Sequence, residues 1–213
     1  MKEPKFVNSN TVASNPGQIS VSPFVWYRHH VVMGGIIALI LLAILCLCVF
    51  VDVKFVVLFA IFAIVHQLNF TRIKEHFYYG DSNGGIVLAT NPILVAVYTN
   101  LSKGFGYYPV IKIIECPTLK DLNIGDRIAT VALYQASTNQ QLPHWINFEP
   151  LPVNYVSNNQ EDIDKALLSY DATYWSRLEQ GIPQVPKPYQ AGLYKINIES
   201  SDWENDSTDL AKL

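Results

Sequence analysis

Residues 31–65 read VVMGGIIALILLAILCLCVFVDVKFVVLFAIFAIV, and their interpretation decides the rest of the chain. Val31 to Val51 contains no charged residue, Asn, Gln or Pro. As a helix rising 1.5 Å per residue, this run is about 30 Å long, which matches the hydrocarbon thickness of a bilayer. The second run, Phe55 to Val65, continues through His66-Gln67-Leu68-Asn69-Phe70. A helix over 53–70 reaches roughly 27 Å, enough for a second span with slight local thinning. Only Asp52-Val53-Lys54 lies between the two, so the sequence predicts an antiparallel transmembrane hairpin within residues 23–72, with spans near 31–51 and 53–70.

The charges around this hairpin give it a direction. Arg28 precedes the first span, with Lys2 and Lys5 farther upstream, and Arg72 and Lys74 follow the second, whereas the turn holds one Lys beside one Asp. The excess of basic residues on cytoplasmic flanks then places both termini in the cytoplasm. Trp26, Tyr27, Phe77, Tyr78 and Tyr79 fall on that same side, as aromatic residues at a membrane boundary do. The first run begins too late and is too long for a cleaved secretory signal.

Outside the hairpin, residues 1–22 are rich in Ser, Asn, Pro and Val without a helical or strand period, and are expected to form a loose arm. Residues 199–213 carry five acids against one lysine, so this tail is net minus four while the whole chain is minus three. The acidity therefore belongs to the tail, and residues 1–198 sum to plus one.

Residues 73–198 read as a cytoplasmic β-rich domain. Short apolar stretches at 86–90, 93–99, 108–115 and 127–135 are separated by Asn91-Pro92, a glycine-bearing segment and Gly125-Asp126. No gap is long enough to house a crossover helix, so the sheet is antiparallel. The expected fold class is α+β: the hairpin, then a small antiparallel β-barrel-like domain of oligonucleotide/oligosaccharide-binding type, with one amphipathic helix over 158–180. Ser157 or Asn158 is positioned to cap that helix, and Ile163, Leu167, Tyr170, Tyr174 and Leu178 share one face. Leu142 to Val156, with Pro143, Pro150 and Pro152, is expected as an extended crossing segment, and 192–199 as a last strand.

Lys103-Gly104-Phe105-Gly106-Tyr107 matches the start of the main signature of an RNA-recognition motif. The match fails on context. That signature lies on a third strand after a helix, and none precedes it here. Pro109 occupies its seventh position and Val110 stands where an aromatic belongs. Asn100 to Gly106 is instead a glycine loop between two strands, and nucleic acid is not an expected partner.

No other chemistry is spelled out. His29, His30, His66, His76 and His144 contain no pair at metal-ligand spacing, and Cys46, Cys48 and Cys116 provide neither a disulfide framework nor a metal site. No hydrolase elbow, phosphate loop or dinucleotide fingerprint occurs, so no catalytic, metal or cofactor residue is assigned. The expected role is a non-enzymatic membrane-anchored interaction module in contact with lipid and with a protein partner or a second copy of itself. Its candidate binding residues are Tyr98, Lys103, Phe105, Tyr107 and Tyr108. The alternative is an enzyme with Asp81, Asp126 and His144 as acid/base groups.

GGIVLATNPILVAVYTNLSKGFGYYPVIKII (84–114), GDRIATVALY (125–134) and VPKPYQAGLYKI (185–196), placed behind a two-span hairpin, resemble uncharacterised bacterial membrane proteins grouped as a domain of unknown function. The likeness covers about residues 24–198 and implies an architecture in the bacterial inner membrane without supplying catalytic residues. The layout is also similar in outline to NfeD-like proteins, in which membrane segments carry a small β-barrel that partners stomatin-like scaffolds.

Overall fold

A computed structural model describes residues 13–138 and 140–198. The expected acidic tail and residues 1–12 of the expected arm lie outside these described residues. Helix α1 (Pro23–His29) leads through His30 into α2 (Val31–Phe50), and a 3-10 turn at Val53–Phe55 opens α3 (Val56–Tyr79). Asp52 caps that turn by accepting from Lys54 N at 2.8 Å. Tyr27 of α1 packs on α3, its Oη 3.0 Å from His66 Nε2 and its ring 6.3 Å from that of Phe70, and the two long helices run antiparallel. Both are long and apolar enough to cross a membrane.

Contact between them is confined to a narrow stripe. Gly34, Ile37, Leu41, Ile44 and Cys48 of α2 lose exposure, as do Phe62, His66 and Phe70 of α3, with Tyr27 of α1 covering Gly34, His66 and Phe70. The remaining faces expose large apolar side chains such as Val32 (79%) and Phe50 (82%). Burial changes near Phe70. Phe70 and Phe77 are buried, and His76 Nε2 donates to Val131 O at 2.8 Å, so the last turns of α3 pack on the sheet.

Six antiparallel strands follow: β1 (Asp81–Thr90), β2 (Ile93–Asn100), β3 (Pro109–Glu115), β4 (Arg127–Gln135), β5 (Asn147–Pro152) and β6 (Gly192–Lys195). Their order across the sheet is β5-β4-β1-β2-β3-β6. The register puts Gly85 opposite Val97 and Val97 opposite Lys112, so these residues share one face. From that face Lys112 on β3 reaches β5 and donates to Phe148 O at 2.6 Å and Asn147 Oδ1 at 3.1 Å. A contact between strands so far apart in the order requires the sheet to curl, and the result is a half-barrel. Val95, Val97, Val131 and Phe148 are fully buried in the core.

β5 corrects the expected crossing segment. Pro150 and Pro152 lack N–H groups, yet an edge strand keeps only one side paired, and they leave the Glu149↔Leu133 and Leu151↔Val131 pairs intact. The single helix expected over 158–180 is also corrected. Two helices form, α4 (Gln160–Leu168) and α5 (Ala172–Gly181), because Asp171 turns out of the helical path and accepts from Tyr174 N at 2.6 Å. Asn159, rather than Ser157 or Asn158, caps α4.

The arm of residues 1–22 is corrected over its second half. Gly17, Gln18 and Ile19 donate their backbone N–H groups to Gly80 O, Tyr78 O and Phe77 O at 2.9–3.1 Å. The last carbonyls of a helix have no partner within it, and this strap satisfies those of α3. Asn15 N and Ser14 Oγ then donate to Asp81 Oδ1.

Candidate interaction face

Antiparallel alternation gives the half-barrel two ends. His29 lies 3.2 Å from Thr118 Oγ1, just beyond β3, and its ring meets that of Tyr155, just beyond β5. This end adjoins the start of α2. The β2–β3 loop and the β4–β5 connection lie at the opposite end.

The β2–β3 loop is built from Asn100, which ends β2. Its Oδ1 accepts from Ser102 N at 3.2 Å and Tyr108 N at 2.8 Å, while Leu101 N donates to Tyr108 O at 3.0 Å. Gly104 and Gly106 adopt φ of 104° and 82°, the left-handed region that glycine enters without steric cost. The base of the loop is stitched to the chain before β5. Lys103 N donates to Pro143 O, Trp145 N donates to Leu101 O, and Lys103 Nζ donates to Leu142 O while lying 4.9 Å from the Trp145 ring centre. Tyr108 packs on His144 with ring centres 4.4 Å apart.

The five candidate residues therefore occupy different environments. Lys103 and Phe105 are exposed, Phe105 at 88%; Tyr107 and Tyr108 are half-buried. Tyr98 is buried and stands on the other face of β2 from Thr99, with its ring 5.6 Å from Tyr174. Its Oη lies 3.4 Å from that of Tyr107, so it supports the loop from below. Strand alternation alone cannot reveal this, since every residue from Ile93 to Thr99 is buried.

Asp81, Asp126 and His144 are not brought together. Asp81 starts β1, whereas Asp126 bonds to Val87, six residues along, which is about 20 Å at strand rise. Asp126 accepts from Asn123 N at 2.7 Å and closes a turn, and His144 Nδ1 donates to Trp145 O at 2.8 Å. Asp81 has a real constellation that sequence reasoning missed. Tyr134 Oη donates to its Oδ2 at 2.9 Å and lies 2.6 Å from Thr99 Oγ1, so three strands meet in one polar chain inside the half-barrel. Burial raises the Asp81 carboxyl above its ordinary range against the pull of these donors, and burial likewise pushes the Tyr134 phenol up. Among the described residues no cluster of His, Cys, Asp and Glu is arranged to hold a metal ion.

The family model for a protein of unknown function, DUF3239, matches residues 69–186. The chain belongs to this family. The DUF3239 region opens inside α3 where its packing on the sheet begins and closes after α5, so it includes five strands and the candidate loop but excludes α2 and β6. Among solved structures, a candidate membrane protein from Corynebacterium diphtheriae is similar at 15% identity and a TM-score of 0.47, covering 55% of this chain and all of that one. No curated protein matches the sequence.

Proposed function

We propose that this DUF3239 protein is a non-enzymatic, membrane-anchored interaction module. Its hairpin crosses the bacterial inner membrane with both termini in the cytoplasm, and the half-barrel presents the Lys103–Tyr108 loop to a protein partner. The observation that carries this is the change in burial along α3. Up to residue 69 the apolar side chains of α3 are exposed outside the narrow stripe that faces α2 and Tyr27, and from Phe70 onward they pack into the core. Exposed apolar surface on that scale has to be covered, and a helix with no polar face suits lipid.

The loop points away from the hairpin in this arrangement. A rigid base with one bare aromatic at its tip has the form of an anchor for a partner's pocket. The separation of Asp126 from Asp81 supports this role over an enzyme that uses Asp81, Asp126 and His144 together. The test is a crosslinking pull-down from membranes with Phe105→Ala. Because the side chain is solvent-exposed, folding is expected to be unaffected while partner recovery falls; undiminished recovery rules out this face.

A further inference from the structure

The half-barrel stays open between β5 on one side and the end of β3 with the start of β6 on the other, and this seam forms a groove of about 380 Å³ along Lys112–Cys116, Ala191–Gly192 and Glu149–Pro152. The β5 side of this groove offers mainly acceptors. Phe148 O faces the seam, since it accepts from Lys112 across it, and alternate residues of a strand point their carbonyls the same way. Pro150 O therefore faces the seam too, and Pro150 and Pro152 have no N–H to offer. The exposed Glu115 and Glu149 add two carboxylates, so the groove is rich in acceptors and carries a net charge of minus one with Lys112 counted.

The molecule already shows what this edge binds. The Lys112 ammonium sits on Phe148 O, and the next seam carbonyl, Pro150 O, has Glu149 beside it. A second primary ammonium, with three N–H donors, complements that position; a quaternary ammonium has no donors to give. The groove's position suggests the source. Tyr155 forms one end of it, and the Tyr155 ring lies 5.1 Å from His29 and 5.6 Å from His30, the residue before α2 begins. In the anchored arrangement this end opens at the bilayer surface. At the small end of the usual range for ligand sites, the groove holds a headgroup and leaves acyl chains in the bilayer.

We infer that the seam groove binds the ethanolamine headgroup of a bilayer phospholipid, its ammonium held by Glu149, Glu115 and the seam carbonyls. The inference rests on the anchored reading above. The test uses the full chain in vesicles of equal phosphatidylcholine, phosphatidylethanolamine and phosphatidylglycerol, extracted gently and examined by native mass spectrometry. One retained phosphatidylethanolamine per chain is expected. Retention should drop about tenfold in a Glu115→Gln/Glu149→Gln variant, the loss of charge-assisted hydrogen bonds from two exposed side chains. Ala191→Trp, which fills the groove from its exposed rim, should drop it as well. Equal retention of the three lipids, or retention unchanged by Ala191→Trp, overturns the site. Flotation of the same vesicles separates the two claims: a chain that fails to float overturns the anchoring and with it the bilayer source, whereas one that floats without headgroup preference overturns the groove alone.

Discussion

His76 and Tyr174 show how single side chains fasten the helices to the sheet. Burial holds the His76 imidazole below its ordinary pKa, opposed by its bond to Val131 O and by Glu149. The unfolded chain therefore binds a proton first as pH falls, and stability supplied by the neutral ring is lost below about pH 6.5. Thermal unfolding in detergent between pH 7.5 and 5.5 should show a falling midpoint, and His76→Gln, which retains a donor, should flatten that slope. Tyr174 Oη lies 2.8 Å from both Gly84 O and Tyr98 O and so ties α5 to β1 and β2. Gly84 makes the approach possible, because a Cβ there would come within 2.6 Å of Trp175. Tyr174→Phe should cost about 1–3 kcal/mol in denaturant titrations by removing the one hydroxyl hydrogen that these two carbonyls share.

Among the elements, what was legible in the sequence followed the strength of the local signal. The two apolar helices, the four central strands and the glycine loop could be read because unbroken hydrophobicity, strand-length runs and Gly-x-Gly are each local. The gap between α4 and α5 was hidden because Tyr170 and Tyr174 keep helical spacing across it; Asp171 was the available sign. Replacing it with Ala should destabilise the domain by about 1 kcal/mol, the usual cost of a lost N-cap. β5 was hidden because its prolines argue against a central strand, and nothing in the sequence says that it lies at an edge. The Asp81–Tyr134–Thr99 chain was out of reach for another reason: its members lie 18 to 53 positions apart, and only the register of three strands joins them. Asp81→Asn tests it. An ionised, buried Asp81 is a burden, so the variant should gain stability relative to the parent as pH rises above the ordinary aspartate range, read as the difference between their midpoints.

For the whole molecule, the strap at Gly17–Ile19 and the buried Phe77 make α3 continuous with the half-barrel, so the sheet is fixed to the hairpin rather than trailing from it. Phe77→Ala should cost about 3–5 kcal/mol and loosen that junction. The central claim is that the hairpin crosses the bilayer and holds the loop end of the sheet in the cytoplasm. Single cysteines at position 54, in the turn, and at position 105, on the loop, test it by maleimide labelling in intact cells, with native Cys116 buried and Cys46 and Cys48 within α2. Lys54→Cys should label with an impermeant reagent and Phe105→Cys only after permeabilisation. Labelling of both positions from the same side of the membrane would contradict the account.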